Sequence, residues 1–475
     1  MNEDDKAGFL DRTLNNLRNA WQAIAGSAYD ESTASLRPDL PEADTAALLK
    51  QMRACLDSRG GEVSARARAA ALGRAYLALD ATGRERFLDL LASEFDVDHA
   101  AVDRAVDALR GARGDAAREA AENALRAALA PPRIELATRF NALPEGVKFL
   151  VDMRAELMRI AGPNLRLRAL ERDLKSLLTT WFDVDFLELR RITWESASAA
   201  VLEKLIAYEA VHAIRDWDDL KDRLDSDRRC FAFFHPRMPD EPLIFVEVAL
   251  VHGMADDIQT LLDETTPVED AARADTAVFY SISNAQSGLD GINLGNFLIK
   301  RVVDELTREF EGLTTFATLS PIPGFRAWLD KRLANGADEL LRPGEEKTIL
   351  AVAGGANDAP AALRSLIANP DWPADKAVAR ALRKPLKRLC AHYLIRERRS
   401  DNCARDPVAH FHLRNGARME RLNWLGDRSR IGLERSAGMM LNYVYDLSEI
   451  ESNHEAYTTD GRITVASAVK SLLKP

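Results

Sequence analysis

Cysteine is scarce and scattered. Cys55, Cys230, Cys390 and Cys403 are the only four in 475 residues, and no two form a C-x-x-C pair. That argues against a disulfide framework or a zinc module and fits a reducing compartment. An H-E-x-x-H metal motif is also missing, so neither common metal pattern is present. Basic residues are not in excess: 64 Lys and Arg face 74 Asp and Glu, for a net charge of −10. This disfavours a nucleic-acid surface and leaves room only for local basic pockets. No apolar run approaches the roughly 18–20 residues of a membrane span. The start, MNEDDKAGFL, lacks the basic and apolar regions of a secretory leader. A cytoplasmic protein with neither membrane nor nucleic-acid partner is expected.

Strand-like runs are absent from the first 190 residues or so, which are rich in Ala, Leu, Arg and Glu. Leu10, Leu14, Leu17, Trp21 and Ile24 keep an apolar stripe at spacings of three and four. Similar stripes cover Ala69–Leu79, Phe87–Phe95, Val147–Met158 and Leu165–Leu178, and Asp115–Ala130 is Ala-rich enough for helix on propensity alone. Pro131-Pro132 and Gly162-Pro163 break the pattern. Residues 1–188 are therefore expected to form a helical bundle, with stripes serving as core and partner surface.

Strand signals begin further on. Arg229–Phe234 and Leu243–Val251 flank a proline-rich turn containing His235, which reads as a hairpin. Thr276–Trp328 is the richest stretch. Ala277–Ile282 has the composition of a buried strand, Gly288, Gly291 and Gly295 punctuate a turn, and Phe297–Leu306 has helical period. A glycine-bearing turn feeding a helix N-terminus offers free amides to a phosphate. A second strand, Thr314–Leu319, ends at Ser320-Pro321-Ile322-Pro323-Gly324, where the prolines restrict the backbone around the Ser320 hydroxyl. Lys376–Leu394 is a basic helix that reads first as a solvated face, with contact to a nucleotide phosphate as the alternative. Asp406-Pro407 has the form of a helix start and Asn415-Gly416 of a helix end, which puts His412 on the helix between them.

At this point the residues carry a resemblance. SISNAQSGLDGINLGNFLIKRVV, TLSPIPGF, HPRMPDEPLIFVEVAL, DPVAHFHLRNGARMERLNW and GMMLNYVYDL together resemble the malonyl-CoA decarboxylase family over roughly Ile192–Leu447. The resemblance implies an α+β multidomain chain: an all-α bundle over residues 1–188, then a GNAT-like mixed α/β catalytic domain over 189–475. It implies malonyl-CoA as substrate, acetyl-CoA and CO₂ as products, no metal or organic cofactor beyond the coenzyme A of the substrate, and a homo-oligomer, as a tetramer. The loop Asp290, Gly291, Ile292, Asn293, Leu294, Gly295 and Asn296 is expected to receive the coenzyme A pyrophosphate. It departs from the superfamily's glycine pattern at Asn293. Ser320 is expected to orient the malonyl carboxylate and His412 to give the proton, with Tyr445 near them. His412 occupies the spacing before Gly416 where many GNAT enzymes carry a tyrosine, exchanging a group of pKa about 10 for one of about 6.5. His410, roughly 200° around the helix, is expected to face away. Other classes stay open: a GNAT-type acyltransferase, a non-catalytic acyl-CoA-binding protein and, more weakly, a serine hydrolase, for which no G-x-S-x-G elbow surrounds Ser320.

Overall fold

Three-to-four spacing early in the chain and alternation later become helices and strands in the computed structural model. It describes Trp21, Ile24 and residues 36–57, 61–292, 294–335 and 340–474. The stripe over Leu10–Leu17 lies outside the described residues; Trp21 and Ile24 are helical. By internal contacts the chain divides into two units. The first comprises Met1–Glu188, Phe233–Leu243 and Asn284–Leu294, and the second Leu189–Ala232, Ile244–Ser283 and Gly295–Pro475.

In the first unit eight helices follow one another among the described residues: Glu42–Leu56, Gly61–Ala78, Ala81–Glu94, His99–Gly111, Asp115–Ala128, Pro132–Asn141, Gly146–Ile160 and Leu165–Trp181. Their starts are chemically marked. Asp80 and Asp98 accept hydrogen bonds from the amides of Gly83 and Ala101, and Pro132 sits in the first turn of its helix. The core is aromatic at its centre: Phe149 meets Trp21 edge-on at 4.9 Å and Tyr76 at 5.5 Å. Two later segments join this unit. In the turn Phe233–Leu243, His235 accepts the Arg237 amide on Nδ1 and sets Nε2 3.2 Å from the Trp181 carbonyl. Both ring nitrogens are thus committed to backbone, which makes it a turn histidine. In Asn284–Leu294, Gly288 lies so close to the helix Gly146–Ile160 that a Cβ there would come within 1.9 Å of the Val151 carbonyl oxygen.

The sheet has eight strands: β1 Glu188–Ile192, β2 Arg228–Phe234, β3 Ile244–Val251, β4 Thr276–Asn284, β5 Thr315–Thr318, β6 Ser320–Pro321, β7 Arg418–Asn423 and β8 Met440–Val444. Their order is β1-β2-β3-β4-β5-β8-β6, with β7 also on β8. β4 and β5 are parallel from Thr276↔Thr315 to Phe279↔Thr318, joined through the helix Gly295–Glu309, which buries Leu298, Ile299, Val302, Val303 and Leu306. β4 runs on to Asn284 after its register with β5 has ended at Phe279↔Thr318. The expected strand over Thr314–Leu319 is split: Ser320 and Pro321 leave β4 and pair with Leu441 and Met440 of β8. β6 ends the strand order, and there a proline, which has no amide hydrogen to offer, is tolerated.

Candidate active site

The gap between β5 and β8 builds the site. Their backbone pairing is limited to Ala317↔Val444, and β6 resumes at Ser320↔Leu441. Side chains bridge the interval. The buried Asn442 amide donates to the Thr318 carbonyl at 2.7 Å, and the Tyr443 amide donates to Thr318 Oγ1 at 3.1 Å. Ser320, two residues along from Thr318 and so on the same face, donates its hydroxyl to that same Oγ1 at 2.8 Å.

His412 reaches Ser320 from the helix Pro407–Arg414. Asp406 caps this helix, accepting the Val408 and Ala409 amides at 3.0 Å each, while its other oxygen accepts the Gly324 amide at 3.2 Å. One carboxylate therefore ties the turn after Ser320 to the start of the helix that carries His412. Gly324 has no room for a side chain, since a Cβ would lie 2.1 Å from the Tyr393 hydroxyl. Gly416 ends the helix at φ +79°, close against the Ile450 carbonyl.

His412 Nε2 is 3.0 Å from Ser320 Oγ, and Nδ1 is 2.7 Å from the Tyr445 hydroxyl. Ser320 has one proton, already given to Thr318, so the Nε2 contact runs from Nε2–H to Oγ, and Nδ1 accepts from Tyr445. The bonds form one directed chain: Tyr445 to His412, His412 to Ser320, Ser320 to Thr318. Tyr443 stacks on the imidazole with ring centroids 4.4 Å apart. Its own hydroxyl is fully buried and has no partner among the described residues. Burial alone pushes the His412 pKa down to about 3, and burial raises both tyrosines. The ordinary imidazole value near 6.5 therefore does not apply here. The resting imidazole is neutral, because no carboxylate stands beside it to stabilise a positive charge in this dry place.

The structure thus brings Ser320, His412 and Tyr445 together. His410 is engaged elsewhere, with Nδ1 2.8 Å from the Tyr457 hydroxyl. The expected phosphate loop is divided: Asp290–Leu294 belongs to the first unit and Gly295 begins the second. Asn293 lies outside the described residues. Gly291 is left-handed at φ +77°, Ile292 is half-buried and Leu294 is buried. Asp290 accepts from Asn284 Nδ2 at 2.7 Å, and Asn296 lies in the first turn of the helix that starts at Gly295. Two cations of the first unit meet this loop. Arg154 donates to the Asp290 carbonyl at 3.0 Å, and Lys175 Nζ lies 2.9 Å from where a Gly291 Cβ would be. Thr318, Lys175 and Arg154 carry no sequence signal of a functional role. Only alternation from Ser320 could have picked out Thr318. Among the described residues no group of three or more His, Cys, Asp or Glu is placed to hold a metal, and no helix is long and apolar enough to cross a membrane.

Comparison with known proteins supplies the relatives. The profile of the malonyl-CoA decarboxylase C-terminal domain matches residues 185–475, and that of the N-terminal domain matches residues 95–182. The chain is 40% identical to the mitochondrial malonyl-CoA decarboxylase of Mus musculus over 412 residues, covering 83% of this chain and 82% of that one. It is 38% identical to the mitochondrial protein of Anser anser anser over 424 residues, covering 86% and 83%. A crystal structure of malonyl-CoA decarboxylase from Rhodopseudomonas palustris has TM-score 0.81 and 44% identity, covering 90% of this chain and 99% of that one. The Agrobacterium vitis structure has TM-score 0.81 and 43% identity, covering 90% and 100%.

Proposed function

The chain belongs to the malonyl-CoA decarboxylase family, and from that premise we propose that Ser320, His412 and Tyr445 carry the conversion of malonyl-CoA to acetyl-CoA and CO₂. The observation that supports this reading is the directed chain of hydrogen bonds ending at Ser320. The malonyl carboxylate takes the Ser320 hydroxyl in place of Thr318, which turns the carboxylate for cleavage. The C–C bond breaks, its electron pair enters the thioester as an enolate, and CO₂ leaves. His412 Nε2–H then protonates the enolate carbon while Nδ1 takes the Tyr445 proton. The imidazole stays neutral throughout, in a place where its protonation is disfavoured. The negative charge ends on the phenol oxygen, whose ionisation burial opposes but which is still a far weaker base than the enolate carbon, and a proton drawn from solvent restores the phenol. The reaction needs no metal or organic cofactor beyond the substrate's own coenzyme A.

A serine hydrolase is disfavoured by the same bonds. With its proton on Thr318 and Nε2–H pointing at its oxygen, Ser320 has no base to make it a nucleophile. The loop around Asp290–Asn296 is proposed to hold the coenzyme A phosphates with Lys175 beside it, in a cytoplasmic homotetramer. Light scattering on the purified chain checks the assembly.

The test follows acetyl-CoA formation from malonyl-CoA by mass. A general acid contributes about 10²–10⁴-fold, so His412→Asn is expected to lower kcat by that order with KM nearly unchanged. Near-normal turnover in a well-folded variant overturns the assignment.

A further inference from the structure

A concavity of about 410 Å³ is lined by Arg342, Arg380, Arg383, Lys384, Lys387, Arg388, Ser471, Leu472 and Lys474. Seven of these nine carry positive charge and none is acidic, in a chain whose net charge is −10. The groove shares no residue with the Ser320–His412 cluster or with the glycine loop. We propose that it binds a small anion bearing two or more phosphate groups.

Helical spacing builds the charged wall. Arg380, Arg383, Lys384 and Lys387 stand at intervals of three and four on the helix Lys376–Arg396, so all four share one face. Two further cations fix the frame. Arg388 is held by Glu345 at 2.7 Å and the Leu340 carbonyl at 2.7 Å, and Arg342 donates to the carbonyls of Lys474 and Leu473 at 2.9 and 3.3 Å. The four on the shared helix face differ. Among the described residues none of Arg380, Arg383, Lys384 and Lys387 has an acidic partner within ion-pair distance. Lys387 is half-buried, and its pKa is lowered by burial and by the neighbouring Arg383 and Arg421. Apart from Glu345 on Arg388, the groove supplies no counter-charge to its cations. Such a concavity focuses potential on whatever enters it.

The size of the site selects the ligand. Arg380 to Lys387 spans about 10 Å along the helix, which exceeds one phosphate and suits two or three in a row. The volume falls within the range of roughly 300–1,000 Å³ for small-molecule sites. Arginine forks and lysine ammonium groups together match phosphate oxygens.

Calorimetric titration of inorganic tripolyphosphate into the full chain tests the proposal. One site is expected, with orthophosphate binding more weakly. The paired substitution Arg380→Glu and Lys384→Glu is expected to weaken binding by about 10- to 100-fold, in line with losing charge-assisted contacts, while malonyl-CoA turnover is unchanged. The neutral pair Arg380→Gln and Lys384→Gln should fall between. Gly295→Glu, in the glycine loop, should leave tripolyphosphate binding intact. Displacement by ATP but not by coenzyme A assigns the site to free nucleotides, whereas displacement by coenzyme A makes the groove part of the substrate site and overturns a separate one. Affinity unchanged by the charge reversal, loss of binding in Gly295→Glu, or no binding at all overturns the proposal.

Discussion

Around His412 the polar groups answer one another, with Tyr445, His412, Ser320 and Thr318 joined donor to acceptor. Along Arg380–Lys387 the cations face a cavity with no acid lining it. A ligand reaching the first must displace an existing bond, so it gains little affinity there and the contacts serve orientation and proton transfer. A ligand reaching the second relieves repulsion already present and gains affinity. The two places differ in exposure: burial strips charge from the imidazole, while Arg380, Arg383 and Lys384 stand exposed on one helix face and keep theirs within reach of a ligand.

The hardest way to break this contrast is to remove the proton chain. Ser320→Ala and His412→Asn are each expected to slow turnover by about 10²–10⁴-fold. The double variant should fall far short of the product, because the two act as a unit. His410→Asn should keep nearly full activity, since its ring pairs with Tyr457; steady-state rates decide. Next is the clasp. Asp406→Ala removes a helix cap and leaves the Gly324 amide without its partner, at about 2–4 kcal/mol summed from a cap and a lost buried bond. Asp406→Asn should recover most of the cap, as denaturant midpoints would show. Thr318→Val strands the Tyr443 amide and the Ser320 hydroxyl, for about 1–3 kcal/mol of stability, and Thr318→Ser should restore both bonds.

The last effect is one of acidity. Burial lowers His412 to about 3 and His212 to about 4, against about 6.5 in an unfolded chain. Between those values the unfolded chain binds protons that the folded one refuses, so stability falls as pH drops from about 6.5. Each histidine contributes at most about 1.4 kcal/mol per pH unit. His412→Gln should flatten the slope of unfolding free energy between pH 7 and 4.5. An unchanged slope would mean that the imidazole is not held neutral.

Much of this was legible in the residues. Asp406-Pro407 and Asn415-Gly416 bracket the observed helix Pro407–Arg414, because capping is local chemistry written in adjacent side chains. The apolar period of Leu298–Leu306 likewise foretold the helix Gly295–Glu309. Position in space was less readable. Nothing near Gly288 announces the Val151 carbonyl against it, and nothing near Lys175 announces Gly291, since such contacts depend on chain far away in sequence. The neutral state of His412 was hidden for the same reason: desolvation is a property of everything packed around the ring. Thr318 was missed although it stands two residues from Ser320, because a threonine in a strand ordinarily needs no explanation.

Asp406 has one more consequence. Because the same carboxylate is anchored to Gly324 on one side and to Val408 and Ala409 on the other, thermal displacement of the turn and of the helix shares a common reference point. Their errors are correlated, as the jaws of a caliper are. The Ser320–His412 spacing is then referred to one carboxylate as well as to the sheet that holds Ser320, so a shift of the turn carries the helix with it.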